Sequence, residues 1–184
     1  MKFSIAILIL FIMISCHEGD LGGDYYYLPD YEAIDIGYPY GSIIYKSTQQ
    51  NTYNKVLIYA DVIDCESSSD YIIVLQRPNK ALVKQNIKDD LKMWRYLSKI
   101  TVGDKAIAMD NLNLRCASVE KISSIADSLF QESSYYQKMF HLESNYYIID
   151  KHTDSIFGPM DKIQFEKMKE NKNISLDFYF LPKL

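Results

Sequence analysis

The sequence predicts an α+β fold: a largely antiparallel sheet made of an N-terminal meander and C-terminal strands, with a helical middle segment and a late helix. Three observations lead there. Short aromatic and β-branched runs, separated by turn clusters, fill residues 25–76. Apolar residues at helical spacing then dominate the middle of the chain. Beyond residue 145 short strand-like runs return on either side of a capped helix. No strand–helix–strand run with a Gly-rich loop is present, so a parallel doubly wound sheet is not expected.

Taken in order, Tyr25 to Leu28 is an aromatic run stopped by Pro29-Asp30, and Tyr31 to Ile36 alternates loosely. Gly37-Tyr-Pro-Tyr-Gly41 is a turn cluster. Ser42 to Ser47 reads as a short strand and Thr48 to Asn54 as a polar turn region. Lys55 to Cys65, rich in Val, Ile and Tyr, is expected to be one long strand. A turn at Ser67 to Asp70 leads to a buried strand, Tyr71 to Gln76, closed by Arg77-Pro78-Asn79. Leu82, Val83, Ile87, Leu91, Trp94 and Leu97 form the core-facing stripe of a helix. Thr101 to Cys116 reads as irregular. Ser118 is an expected N-cap, followed by Val119, Ile122, Ile125, Ala126 and Leu129 on one helix face. Ser133 to Leu142 adds a further helical turn or two. Tyr146 to Asp150 and Ile156-Phe157 read as strands, the second cut by Gly158-Pro159. Asp161, with Gln164 three residues on, caps a helix that runs to about Lys172. Leu176 to Leu181 reads as a terminal strand.

Composition narrows the function classes. The chain of 184 residues is 48% hydrophobic and 24% charged, which favours folding over disorder. Its net charge of -4 lacks the basic stripe that a nucleic-acid partner requires. Tyrosine is over-represented, with 16 copies.

The N-terminus carries the most specific signal. Lys2 precedes a 12-residue apolar stretch, Phe3 to Ile14, the length of a signal-peptide apolar region. A spanning helix needs roughly 20 apolar residues, and His17, Glu18 and Asp20 prevent extension. An uncleaved short anchor is the alternative. Met13-Ile14-Ser15-Cys16 resembles the bacterial lipoprotein signal, with Met13 where Leu is usual. The resemblance implies cleavage before Cys16, a diacylglycerol on its sulfur, and acylation (palmitate) of the new amine. Several acyl chains hold durably where one binds marginally, at about 0.8 kcal/mol per buried methylene. The expected organisation is therefore a signal peptide over residues 1–15, a flexible tether over 16–24 and one α+β domain over 25–184. The expected location is the cell envelope, most naturally the outer membrane, with the bilayer as first partner. Glu18 and Asp20 resemble in part the surface-export signal of Bacteroidetes lipoproteins.

Three blocks resemble a family of bacterial lipoproteins with a domain of unknown function: Asp24-Tyr-Tyr-Tyr-Leu-Pro29, Asp70-Tyr-Ile-Ile-Val-Leu-Gln-Arg-Pro78, and Tyr146-Tyr-Ile-Ile-Asp-Lys-His-Thr-Asp154 with Phe157-Gly-Pro159 and Phe165. They cover roughly a quarter of the chain and leave out residues 80–144. The resemblance implies no catalytic residue and no cofactor.

The residues themselves spell no familiar catalytic or metal-binding pattern. His17, His141 and His152 form no His-x-x-x-His pair, and there is no Cys-x-x-Cys. His152 beside Asp154 reads as a surface turn pair. No nucleophile elbow or phosphate-cradling loop occurs. Asp61 and Asp64 lie within an apolar run, where a strand edge or turn competes with an inward-facing pair. Cys65 and Cys116 remain after lipidation; a bridge would close a loop of about 50 residues, worth about 3–4 kcal/mol. Two separate buried thiols are the alternative. Of the tyrosines at 25, 26, 27, 31, 38 and 40, most are expected to pack under the sheet, and Tyr38 and Tyr40 to be the exposed ones, able to contact an envelope protein or glycan. The leading expectation is a non-enzymatic binding or structural module. An envelope hydrolase with scattered Asp, Glu and Tyr, and an immunity or inhibitor protein, are the alternatives; an enclosed cleft with convergent carboxylates would favour the hydrolase.

Overall fold

A computed structural model describes residues 19–29, 41–49, 55–93, 99–102, 105–108, 114 and 117–179. It has the predicted α+β architecture, but with two packed antiparallel sheets where one was expected. The first sheet has the order β1-β2-β3-β4, with β1 Asp20–Gly22, β2 Tyr25–Leu28, β3 Ile43–Lys46 and β4 Lys55–Ile58. The second has the order β10-β9-β6-β5, with β5 Val62–Ser67, β6 Tyr71–Gln76, β9 Asn145–Asp150 and β10 Ser155–Met160. Between β6 and β9 the chain forms α1 Lys80–Met93, the hairpin β7 Lys99–Val102 and β8 Lys105–Ala108, α2 Val119–Glu132 and α3 Ser134–Met139. Helix α4, Lys162–Lys172, follows β10.

The long strand expected over residues 55–65 is broken. Tyr59, Ala60 and Asp61 lie between β4 and β5, which belong to different sheets. Ala60 has φ +52°. Asp61 exchanges both backbone bonds with Arg77, at 3.2 and 2.9 Å, and Asn79 N–H donates to the Ala60 carbonyl at 3.0 Å. Both halves of the run are equally apolar because each is buried, so composition does not mark the switch.

The sandwich interior follows the period of two. In β6 and β9, Ile72, Val74, Tyr147 and Ile149 face the first sheet's Tyr25, Ile44 and Ile58. The alternate residues Ile73, Leu75, Tyr146 and Ile148 face Phe165 of α4, together with Met160 and Ile174. Both central strands are therefore buried on two faces, which explains their unbroken apolar sequence.

Helices α1, α2 and α3 form a separate cluster. Val83, Ile87 and Leu91 pack with Ile122, Ala126, Phe130, Tyr136 and Met139, and Ala60 joins them from the sheet bend. Lys84 bridges to Asp127 across α1 and α2 at 2.6 Å. Val119, expected on the core face, is exposed. A buried polar network links this cluster to the sheets. The Gln76 amide donates to the Tyr59 carbonyl at 2.6 Å and accepts from Asn145 Nδ2 at 2.9 Å and the Tyr147 hydroxyl at 3.0 Å. Asn145 Nδ2 also donates to the Met139 carbonyl at 2.7 Å.

Four further expectations are corrected. Residues 20–22, read as tether, are strand β1: Tyr27 N–H donates to the Gly19 carbonyl at 2.6 Å, and the Leu21 carbonyl accepts from Lys151 Nζ and, at 2.5 Å, from Ser67 Oγ. Part of the segment read as irregular is the β7–β8 hairpin, whose strands are separated by two residues, Gly103-Asp104. Strand β10 runs on to Met160 because a bulge between Phe157 and Met160 absorbs Gly158-Pro159. Residues 176–179 form no strand. Their alternation reflects packing instead, with Leu176 and Phe178 turned onto Phe165 and Tyr146, and Lys169 holding Asp177 at 2.6 Å. Trp94, Leu97 and residues 30–40 lie outside the described residues.

Candidate functional site

A candidate binding site forms where α3 ends beside the start of α4. Its near wall is set by Ser133, which serves two helices. Its N–H donates to the Leu129 carbonyl and closes α2, and its hydroxyl accepts from Tyr136 N–H at 3.4 Å and opens α3. Tyr136 and Met139 are thereby fixed in the helical core. The helix period turns Gln137 and Lys138 to the outside, and His141 follows the Phe140 C-cap.

The far wall is set by β10 and the cap of α4. The predicted capping box is present: Asp161 Oδ1 accepts from Gln164 N–H at 2.8 Å, and Gln164 Oε1 accepts from Asp161 N–H at 3.3 Å. Phe165 anchors the helix on Tyr146, with ring centroids 5.0 Å apart. Gly158, at φ +133°, lets the strand approach Tyr147; a Cβ there would lie 2.5 Å from its ring.

Between these walls lies an open cleft of about 460 Å³. Gln137, Lys138, His141 and Leu142 line one side, and Pro159, Asp161 and Gln164 the other. Among the described residues, neither the Lys138 ammonium nor the His141 ring has a hydrogen-bond or ionic partner. Asp161 uses one carboxylate oxygen for the cap, and the second has no partner among the described residues. The cleft thus offers an ammonium and an imidazole on one side, a carboxylate on the other, two amides and an apolar edge.

The residues singled out from sequence lie elsewhere. Cys16, Tyr38, Tyr40 and Cys116 fall outside the described residues. Cys65 is a free thiol on β5, pushed up to about 12 by burial, with the Asp64 and Glu66 carboxylates adding to the shift. Among the described residues it has no disulfide partner, and Cys116, the expected partner, lies outside them. Asp61 occupies the bend between the sheets and accepts from Asn79 Nδ2 at 3.2 Å, whereas Asp64 is buried within β5. His152 does not pair with Asp154; its ring meets Asp70 at 2.9 Å across two hairpin turns. Asp154 instead accepts from the Tyr25 hydroxyl and from Lys46, both at 2.6 Å. Tyr25 is fully buried and Tyr26 stacks on Tyr45 at 5.2 Å, as expected of tyrosines under a sheet. Among the described residues the exposed tyrosine is Tyr179, which the sequence did not single out.

Sequence reasoning missed the cleft because its residues carry other signals. Asp161 and Gln164 read as a cap, and Lys138 and His141 fall in a segment read only as a helical turn or two. No motif spacing joins positions 138 and 161. Among the described residues no group of His, Cys, Asp and Glu is arranged to hold a metal ion. Compared with known proteins, the chain matches no protein-family model, no curated protein and no solved structure.

Proposed function

We propose that this protein is a lipid-anchored module of the bacterial cell envelope, held at the outer membrane through Cys16, that works by binding rather than by catalysis. The observation that carries the reading is Ser15-Cys16 at the end of a short apolar stretch. Cysteine supplies the thiol that a thioether to diacylglycerol requires, and serine is small enough for a signal peptidase to approach. Two features support it. Among the described residues no helix is long and apolar enough to cross a membrane, and the Phe3 to Ile14 stretch is shorter than the roughly 20 residues a span requires. The cleft beside α3 and α4 is open and carries one carboxylate, already committed to a helix cap, which suits recognition better than acid–base hydrolysis.

The test is incorporation of labelled palmitate in a bacterial host. The wild-type chain is expected to take up label and to enter the detergent phase. Cys16→Ala is expected to take up none and to keep its signal peptide. Equal labelling of both chains, or no labelling of either in a host that acylates a control lipoprotein, overturns the reading.

A further inference from the structure

From the charge arrangement of the cleft between α3 and α4, we infer that it binds a short peptide with free ends, its carboxylate on Lys138 and His141 and its ammonium on Asp161. The inference deepens the binding reading by naming the ligand class. Three observations carry it.

The first is that the ionisable groups lining the cleft are not already committed within the fold. Lys46, Lys84 and Lys169 each hold a carboxylate at 2.6 Å, and Lys151 is surrounded by oxygen acceptors. Lys138 and His141 have no partner among the described residues, although Asp161 and Gln164 line the same cleft. The second is that the two segments lining the cleft differ in charge, with the Lys138 ammonium on one and the Asp161 carboxylate on the other. A simple anion would satisfy one wall and be repelled by Asp161 on the other; a dipolar ligand satisfies both. The third is the lining between them. The Gln137 amide donates to the Gln131 carbonyl at 3.2 Å, which leaves its oxygen to accept from a peptide N–H. Leu142 and Pro159 offer an apolar edge for a small side chain. The volume of about 460 Å³ lies in the range that holds small ligands.

Asp161 is built to receive an ammonium without losing its structural task. The cap uses Oδ1, held by Gln164 N–H at 2.8 Å, and a charge-assisted bond to Oδ2 leaves that bond intact.

The experiment is calorimetric titration of the full chain in detergent with trialanine, N-acetyl-trialanine and trialanine amide. Trialanine is expected to bind. Blocking either end is expected to weaken binding by about tenfold or more, since each removes one charge-assisted contact. Lys138→Ala is expected to bring trialanine down to the affinity of its amide and to leave the amide unchanged. Asp161→Asn keeps a good N-cap and is expected to bring trialanine down to the affinity of the N-acetyl peptide. Absence of binding overturns the inference. So do equal affinities for the three peptides, or tight binding of inorganic phosphate that survives Asp161→Asn. Palmitate labelling of Cys16 is untouched by any of these results, so the two readings fail separately.

Discussion

The hairpin-tip end of the sandwich and the cleft beside α4 use the same residue types to opposite ends. At the tips, Lys151 donates to the Leu21 carbonyl, to Ser67 Oγ at 2.8 Å and to the Ser68 carbonyl at 2.6 Å. Asp154 collects Tyr25 and Lys46, and His152 meets Asp70. Every one of these polar groups is occupied by another part of the chain, and together they bind β1, the β5–β6 turn and the β9–β10 turn into one unit. At the cleft, Lys138 and His141 are held out by a helix whose buried face is already satisfied. The difference teaches how to sort charges by what the fold does with them. A charge that ties segments distant in sequence is structural; a charge that the fold positions but does not use is open to a ligand.

The comparison breaks first if the cleft's backbone is loose. Gly158→Ala places a Cβ 2.5 Å from the Tyr147 ring and 2.7 Å from the Tyr146 carbonyl at φ +133°. It is expected to cost about 3 kcal/mol or more, read as a shift in urea midpoint at unchanged slope. A cost near zero would mean that the wall beside α4 adapts freely. Next in size is Lys151→Met, which keeps the aliphatic stem and removes the ammonium. A loss of about 2 kcal/mol is expected, because acceptors from two segments lose one charged donor. Hydrogen exchange should rise in β1 above all, and unchanged exchange there would contradict the structural role assigned to the tips.

A smaller effect follows from pH. The bond from His152 holds the exposed Asp70 carboxyl below the usual carboxylate range. A depressed folded-state pKa gives stability that is complete above the unfolded value, about 3.9, and is lost as pH falls through the folded one. Wild type should therefore lose stability across that window slightly more than Asp70→Asn does. The two are compared by urea midpoints from about pH 6 to about pH 2. Identical slopes would show that the pair contributes nothing. The smallest expected effect is the sharpest test of the contrast. Lys138→Ala with His141→Ala should leave stability within about 0.5 kcal/mol of wild type. A loss of about 2 kcal/mol would move the cleft into the same class as the tips.

Local signals survived folding wherever the residues that write them also satisfy them. The capping box at Asp161 and Gln164, the N-cap at Ser118 and the stripe of Val83, Ile87 and Leu91 are made within one element and its neighbours. The pairing of β9 with β6 was not legible, since both strands are apolar on two faces and neither announces a partner. The break at Ala60-Asp61 was hidden for a related reason. Its turn is held by Arg77 and Asn79, which lie beyond an entire hairpin. The tail at Leu176 and Phe178 shows the converse error. Alternation there records a packing face, and alternation alone does not distinguish a face from a hydrogen-bonded ladder.

What can be read from the chain alone is what depends on neighbours in sequence: the α+β class, the positions of the helices and most strands, and Cys16 after its apolar stretch. The division into two sheets, the use of Lys151 as an internal staple and the placing of Lys138 and Asp161 along one cleft were decided by tertiary structure. Each of these joins groups more than twenty positions apart. No local propensity encodes such a distance; only the burial of both faces of β6 and β9 brings the ends together.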